Sequence, residues 1–294
     1  MNSRFDLWIA ALAMLGLGLA LALAVHRLTA RLRGWRLGMV GVGLTLLMLL
    51  FAFTLSDAVV LAVMMPTRLL PVCGNLGFLL ALPIGAVLLR AAIPWWRRGV
   101  LALALAGLAF WSLVRPLLAE TPVCSDQWQG EVCIQTQPAT CSAAAGATLL
   151  RHYGIEASEG EMADLCLTTA QGTTFHGLFR ALRIKTKGTP FRPTARRVAL
   201  ADLQAGGNLP AIVNVALTGE VAERDERYAR DWGWKIGVSH AVVVLAFPGD
   251  GRVLMADPSV GREHWNIVGL RDLMGGDGIV LVPRNGCTLS RSQP

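Results

Sequence analysis

Three residues, far apart in the chain, have the types and settings needed for nucleophilic attack on a carbonyl: Cys141, His240 and Asp257. Cys141 lies in the run Thr140-Cys141-Ser142-Ala143-Ala144-Ala145-Gly146-Ala147. Thr140 is a favoured helix N-cap, the Ala-rich run with Leu149, Leu150 and Tyr153 is helical, and Gly154 is a natural stop. Cys141 is therefore expected in the first helical turn. There, unpaired backbone N–H groups and the helix dipole favour the thiolate, the form of cysteine that attacks carbon. Taken alone, the same cysteine also reads as a small buried hydrophobe or as half of a disulfide.

The partners come from a hairpin. Residues 239–247 read as a buried strand, Pro248-Gly249-Asp250-Gly251 as a turn, and residues 252–257 as a second strand. Centring the turn on Gly249-Asp250 puts Asp257 opposite Val242. His240 precedes Val242 by two residues and shares its face, so His240 and Asp257 become diagonal neighbours. A carboxylate so placed orients an imidazole and fixes its tautomer, as a general base requires. The plainer reading of each is a histidine at a strand start and an Asp-Pro turn. Gln135, six residues before Cys141, offers a side-chain amide on the loop entering the helix. With the Cys141 backbone N–H it could hold a developing oxyanion, and Gln137 is a rival for that role.

The elements that must position these residues occupy only the second part of the chain. Of 294 residues 53% are hydrophobic, and the apolar excess falls before about residue 118. Residues 1–118 hold ten Arg and two Asp, a net of +8; the remainder holds 17 basic and 18 acidic residues, a net of −1, and together they give the overall +7. The nearly neutral second part has no basic stripe, which excludes nucleic acid as a partner. Four stretches have the length and apolarity of membrane spans: residues 5–25, 37–55, 69–89 and 99–118. Pro71, Asn75 and Pro83 interrupt the third. Arg27, Arg31, Arg33 and Arg36 crowd the first loop, and Arg90, Arg97 and Arg98 the third. By the positive-inside rule those two loops are cytoplasmic. That makes the chain a multi-pass plasma (inner) membrane protein, with everything after Leu118 outside the cytoplasm. The expected domains are a transmembrane region over residues 1–118 and a soluble domain over residues 119–294.

There are six cysteines, Cys73, Cys124, Cys133, Cys141, Cys166 and Cys287. Cys124 and Cys133 flank a short polar loop suited to a local disulfide in an oxidising compartment. None of the spacings is that of a metal knuckle, and the chemistry above needs neither metal nor cofactor.

At this point the residues resemble a family. Gln135 with Cys141-Ser142-Ala143, then Tyr153-Gly154, is similar to the Gln-x5-Cys-Gly-x-Ala … Tyr-Gly signature of the double-glycine leader peptidases, papain-like cysteine peptidase domains often fused to bacteriocin exporters. Gly172-Thr173 with Gly177-Leu178, Leu209-Pro210-Ala211-Ile212, His240-Ala241-Val242-Val243 and Ala256-Asp257-Pro258 continue the likeness in order, over roughly residues 130–283. The resemblance implies an α+β papain-like fold, with the cysteine on an N-terminal helix and His and Asp on an antiparallel sheet, behind an all-α transmembrane region of about four helices. It implies Cys141 as nucleophile, His240 as base, Asp257 as its orienter and Gln135 as oxyanion donor. It also implies a peptide or protein substrate and an export machinery as partner, beside the lipid membrane.

The chain departs from the pattern in three ways. Ser142 replaces the Gly after the nucleophile, no Walker motif is present, and the spans precede the peptidase domain. Two other readings follow from the same residues: a catalytically silent papain-like domain that binds peptides or a membrane partner, and an enzyme that transfers the acyl group to an amine. Residues 228–234, rich in aromatics, read as a packed loop or a substrate rim.

Overall fold

The structure, a computed structural model, describes residues 4–205 and 209–284; Asn208 and Cys287 lie outside the described residues. The chain divides into two units, Met1–Leu61 with Leu69–Ala119, and Ala62–Arg68 with Glu120–Pro294.

In the first unit, α1 (Phe5–Leu28), α2 (Trp35–Leu50, continued by a π-helical turn Phe51–Leu55) and α6 (Trp95–Val114, continued by a 3-10 turn Arg115–Leu118) are long and apolar enough to cross a membrane. Between them in the chain come the short α3 (Ala58–Met64), which the division between the units cuts after Leu61, then α4 (Leu70–Cys73) and α5 (Ala81–Leu88). The third expected span is thus not one helix. It is α4, a 3-10 segment Leu76–Leu80 and α5 in succession. Glycine and asparagine are weak helix formers, and the break falls at Gly74-Asn75 with Gly77 just beyond, while Pro71 sits in the first turn of α4, where its missing donor costs nothing. Asn75 compensates by donating its side-chain amide to the Pro71 carbonyl at 2.9 Å.

The broken stretch ends beside the end of α1. Arg90, just past its end, donates to the carbonyls of His26 (2.9 Å) and Ala30 at the end of α1. At the other end Arg4, before α1, donates to the carbonyls of Leu117 (3.4 Å) and Ala119 after α6. Residues 4 and 119 therefore share one end of this unit, and the loops bearing Arg31, Arg33 and Arg90 share the other.

The second unit begins with the hairpin β1 (Gln127–Gln129) and β2 (Val132–Ile134). Three helices follow, α7 (Cys141–His152), α8 (Glu159–Leu165) and α9 (Phe175–Lys185). Then come β3 (Phe191–Arg197), α10 (Leu200–Gln204), β4 (Ala211–Ala216), α11 (Gly219–Arg224), α12 (Arg227–Arg230), β5 (Ser239–Ala246), β6 (Arg252–Asp257), β7 (Gly261–Asn266), α13 (Ile267–Leu273) and β8 (Met274–Pro283). The last six strands form one antiparallel sheet in the order β3-β8-β4-β5-β6-β7. This is the α+β, papain-like arrangement expected from the sequence.

Central strands are buried on both faces, which is why they read as continuous apolar runs. Ala211, Val213 and Val215 of β4, with Val242 and Val244 of β5, pack on a cluster with Tyr228, Trp234, Leu270 and Leu273. The intervening Ile212, Ala241 and Val243 are also buried, and α7 packs against β5. Helix α7 comes close to its neighbours because the run over residues 143–147 in it is all Ala and Gly. A Cβ on Gly146 would lie 2.6 Å from the Met162 side chain. Gly154 ends α7 as expected, in the left-handed region at φ +68°.

Candidate active site

The structure brings three of the four expected residues into one cluster. Cys141 is the first residue of α7, behind Thr140. His240 is the second residue of β5 and Asp257 the last of β6. Val243 pairs with Ala256 and Val244 with Met255, the register that sets Asp257 opposite Val242. The turn is one residue looser than expected. A bulge between Val244 and Ala246 pairs Ala246 with Leu254, so the irregularity sits at the turn end and leaves the site end in register.

His240 Nε2 and Asp257 Oδ1 are 2.7 Å apart, and Asp257 is completely buried. The same Oδ1 accepts the Ser259 backbone N–H (2.8 Å) and hydroxyl (2.7 Å). Ser259 in turn accepts the indole N–H of Trp234 at 3.2 Å. The Trp234 ring covers the imidazole, with centroids 4.6 Å apart. With Nε2 engaged by the carboxylate, Nδ1 is left for Cys141.

Electrostatics separate Cys141 from the other thiols. Burial opposes its ionisation, but hydrogen bonding to His240, the imidazole's charge, the Ala241 backbone N–H and the Ser142 hydroxyl together bring its pKa below the ordinary thiol value. Burial likewise opposes charge on His240, and the hydrogen bonds to Asp257 and Cys141 outweigh it, raising the imidazole to about 9. The two shifts describe one coupled pair, thiolate with imidazolium. By contrast burial, then the charges of Glu159 and Asp126, push Cys124 up to about 11 and Cys133 up to about 12. Burial also raises Cys166. Cys124 and Cys133 are free thiols, so the local disulfide expected between them is not formed here.

Gln135 lines the same cavity as Cys141 and His240, a cleft of about 730 Å³ that Thr173, Trp232 and Trp234 also border. Its Nε2 reaches the Gln137 carbonyl at 3.4 Å, while its Oε1 is buried without a partner. Gln137, the rival, spends its amide on the Val123 carbonyl at 3.0 Å. Thr140 occupies the N-cap position but makes no cap hydrogen bond. Its hydroxyl lies 2.5 Å from Glu159 Oε1 and 2.8 Å from the Gln137 carbonyl instead. Among the described residues no group of three or more His, Cys, Asp or Glu side chains is gathered to hold a metal ion.

Sequence reasoning missed Glu159, Ser259 and the role of Trp234. The Ser158-Glu159-Gly160-Glu161 run looks like an exposed helix start, and nothing local distinguishes Glu159 from Glu161. Trp234 is buried, as a packed loop implies, and it also lines the cleft.

Comparisons with known proteins give the chain a family. The Peptidase C39 family matches residues 130–216, a span that includes Gln135 and Cys141 and ends before His240. An uncharacterized protein of Methanothermobacter marburgensis is 32% identical over 128 residues, covering 44% of this chain and 71% of that protein. The peptidase domain of Streptococcus ComA, a bi-functional ABC transporter involved in quorum sensing, aligns at 22% identity and TM-score 0.40, over 51% of this chain and 96% of that one. A double-glycine motif protease from an AMS/PCAT transporter, solved in complex with the leader peptide, aligns at 17% identity and TM-score 0.40, over 56% of this chain and 94% of that one. By the family match and the identity to the Methanothermobacter relative, the chain belongs to the peptidase C39 family, that of the double-glycine leader peptidases.

Proposed function

We propose that the chain is a membrane-anchored cysteine peptidase in which Cys141 attacks, His240 transfers the proton and Asp257 orients the imidazole. The observation that carries this reading is the 2.7 Å contact between His240 and Asp257, with the imidazole's other side on a cysteine at a helix start. The resting pair is thiolate and imidazolium. Sγ adds to a peptide carbonyl and the carbonyl oxygen takes the negative charge. The imidazolium then protonates the leaving amine as the C–N bond breaks, leaving an acyl-enzyme that water, deprotonated by His240, hydrolyses.

Two donors face the oxyanion in this reading, the Cys141 backbone N–H and the Gln135 amide. Turning the amide about its last bond exchanges its oxygen and nitrogen and puts N–H groups where the unpartnered Oε1 lies. Gln137 is the weaker candidate because its amide is engaged. The substrate is a peptide or protein chain, one that processing would release from a leader, and an export machinery is a fitting partner.

Residues 1–118 serve as the anchor and residues 119–294 as the peptidase domain, placed outside the cytoplasm. Support comes from the first unit alone. Its Arg-rich loops gather at the end opposite residues 4 and 119, which the positive-inside rule makes the cytoplasmic end.

The experiment is cleavage of a double-glycine leader peptide by the full chain in detergent, with a membrane-impermeant thiol probe applied to intact cells in parallel. Cys141→Ala and His240→Ala should abolish cleavage while the protein stays folded; activity retained in either rejects the assignment. Probe labelling of Cys141 only after lysis would invert the orientation.

A further inference from the structure

The loop that carries Gln135 is held by a buried acid that the reaction scheme does not use. Glu159, the first residue of α8, is completely inaccessible to solvent. Its Oε1 accepts the Thr136 backbone N–H at 2.7 Å and lies 2.5 Å from the Thr140 hydroxyl. Its Oε2 accepts the Thr136 hydroxyl at 2.7 Å. Burying a carboxylate is unfavourable unless donors meet its lone pairs; here the Thr136 and Thr140 donors belong to the loop between β2 and α7, and the Cys124 thiol lies beside them.

Two further contacts give this grip a direction. The Gln135 backbone N–H donates to the Pro258 carbonyl at 2.8 Å, next to Asp257. The loop is therefore pinned from two sides, by the end of β6 at Gln135 and by Glu159 at Thr136 and Thr140. Thr140 also forgoes the capping bond that its position favours and turns its hydroxyl toward Glu159. One carboxylate thus fixes both the residue after Gln135 and the residue before Cys141.

We propose that Glu159 is a positioning residue for the oxyanion site, setting the Gln135 amide and the Cys141 backbone N–H at the spacing that receives a tetrahedral oxyanion. This rests on the roles given above to Cys141 and Gln135. Glu159 acts on the adduct, not on the thiolate, because its hydrogen bonds are to the loop and to the Cys124 thiol and none is to His240 or Asp257. Donors aimed at the oxyanion stabilise it only if they are already in place when the charge forms. A loop released from Glu159 leaves the nucleophile reactive and the adduct weak.

The test separates these two properties with two probes of Cys141 in the full-length protein in detergent micelles. Iodoacetamide alkylates the thiolate by displacing iodide and forms no oxyanion. N-acetyl-glycyl-glycinal adds reversibly to the thiolate through its aldehyde carbon, and the aldehyde oxygen becomes the oxyanion of a hemithioacetal. Its affinity is read as protection of Cys141 from alkylation, by mass spectrometry. Glu159→Ala should weaken aldehyde protection by about thirtyfold, two hydrogen-bonded arms being lost, with the alkylation rate at neutral pH within about twofold of wild type. Thr136→Val, which removes one arm and keeps the backbone donor, should weaken protection about fivefold. Glu159→Gln, which retains an acceptor and the side-chain shape, should stay within about threefold of wild type.

Should Glu159→Ala fail to fold, Thr136→Val and Thr140→Val carry the same comparison. Equal protection in the folded variants and the wild type overturns the proposal, as does a parallel fall of alkylation and protection. Wild-type alkylation that is indifferent to His240→Ala removes the cysteine–histidine assignment itself. Wild-type protection that never appears removes the oxyanion site and this role of Glu159 with it.

Discussion

The indole of Trp234 lies over the imidazole of His240, ring centroids 4.6 Å apart and planes inclined by 54°, while its N–H reaches Ser259, which donates to Asp257. A single side chain from the segment between β4 and β5 therefore touches His240 directly and Asp257 through one hydroxyl. It excludes water from one side of the 2.7 Å bond between them. Tyr228, Trp232 and Trp265 back the indole, with Trp232 stacked on Trp265 at 5.6 Å.

Trp234→Ala should move both members of the thiolate–imidazolium pair toward their ordinary pKa values, because water screens the contacts that now outweigh burial. His240 falls from about 9 toward its ordinary value, and Cys141 rises. The check is the pH dependence of Cys141 alkylation, whose acidic limb should shift to higher pH. Trp232→Ala, which removes a neighbour in the same aromatic cluster, should leave that limb in place.

Cleavage by the wild-type protein should follow a bell-shaped pH profile. The sign on each side is set by the direction of the shift. The lowered Cys141 pKa lets the thiolate form below the ordinary thiol range, so activity rises early on the acidic side. The raised His240 pKa keeps the imidazolium, needed to protonate the leaving amine, until the pH passes about 9. Measured kcat/KM should therefore be nearly flat through neutrality; an alkaline limb near pH 6.5 would contradict the paired state.

Asp257→Asn keeps the shape but removes the charge that holds the imidazole, and in a comparable triad such a change lowers kcat by about 10⁴-fold. Its second signature is directional. Losing the carboxylate lets burial dominate His240, so the alkaline limb moves to lower pH. Kinetics across pH on the purified variant distinguish this from simple unfolding, which would lower activity at every pH alike.

Cys124→Ser and Cys133→Ser should each retain cleavage, since burial and nearby acids hold both thiols protonated. Cys133→Ser is expected to lower stability by about 1–2 kcal/mol, as it places a hydroxyl at a fully buried position. Thermal unfolding of the two variants tests this, with Cys124, which is partly accessible, as the milder case.

Much of this site was legible along the chain because its parts depend on short-range rules. A cap residue, an Ala-rich run and a glycine stop determined where α7 begins and ends, and so where Cys141 sits. Two apolar runs around a Pro-Gly-Asp-Gly turn determined that His240 and Asp257 share a face, since side chains alternate with a period of two. The bulge near Ala246 escaped that count because nothing in the local pattern demands an extra residue there; closing the turn does. The charge asymmetry likewise marked which loops of the first unit lie together, and the stretch at residues 69–89 was recognisable as apolar. Its division into α4, a 3-10 segment and α5 follows from Gly74, Asn75 and Gly77, and its course back to the end of α1 is seen only through Arg90. Tertiary structure alone decided the fate of Thr140, Glu159, Trp234 and Ser259. Each is an ordinary residue in its own segment. What gives them a part in the site is a partner 19 residues away for Thr140, 25 for the indole N–H of Trp234, and for Ser259 the buried Asp257 that it serves together with His240. Long-range hydrogen bonds of this kind depend on which groups burial leaves in need of a partner, and burial is a property of the folded chain.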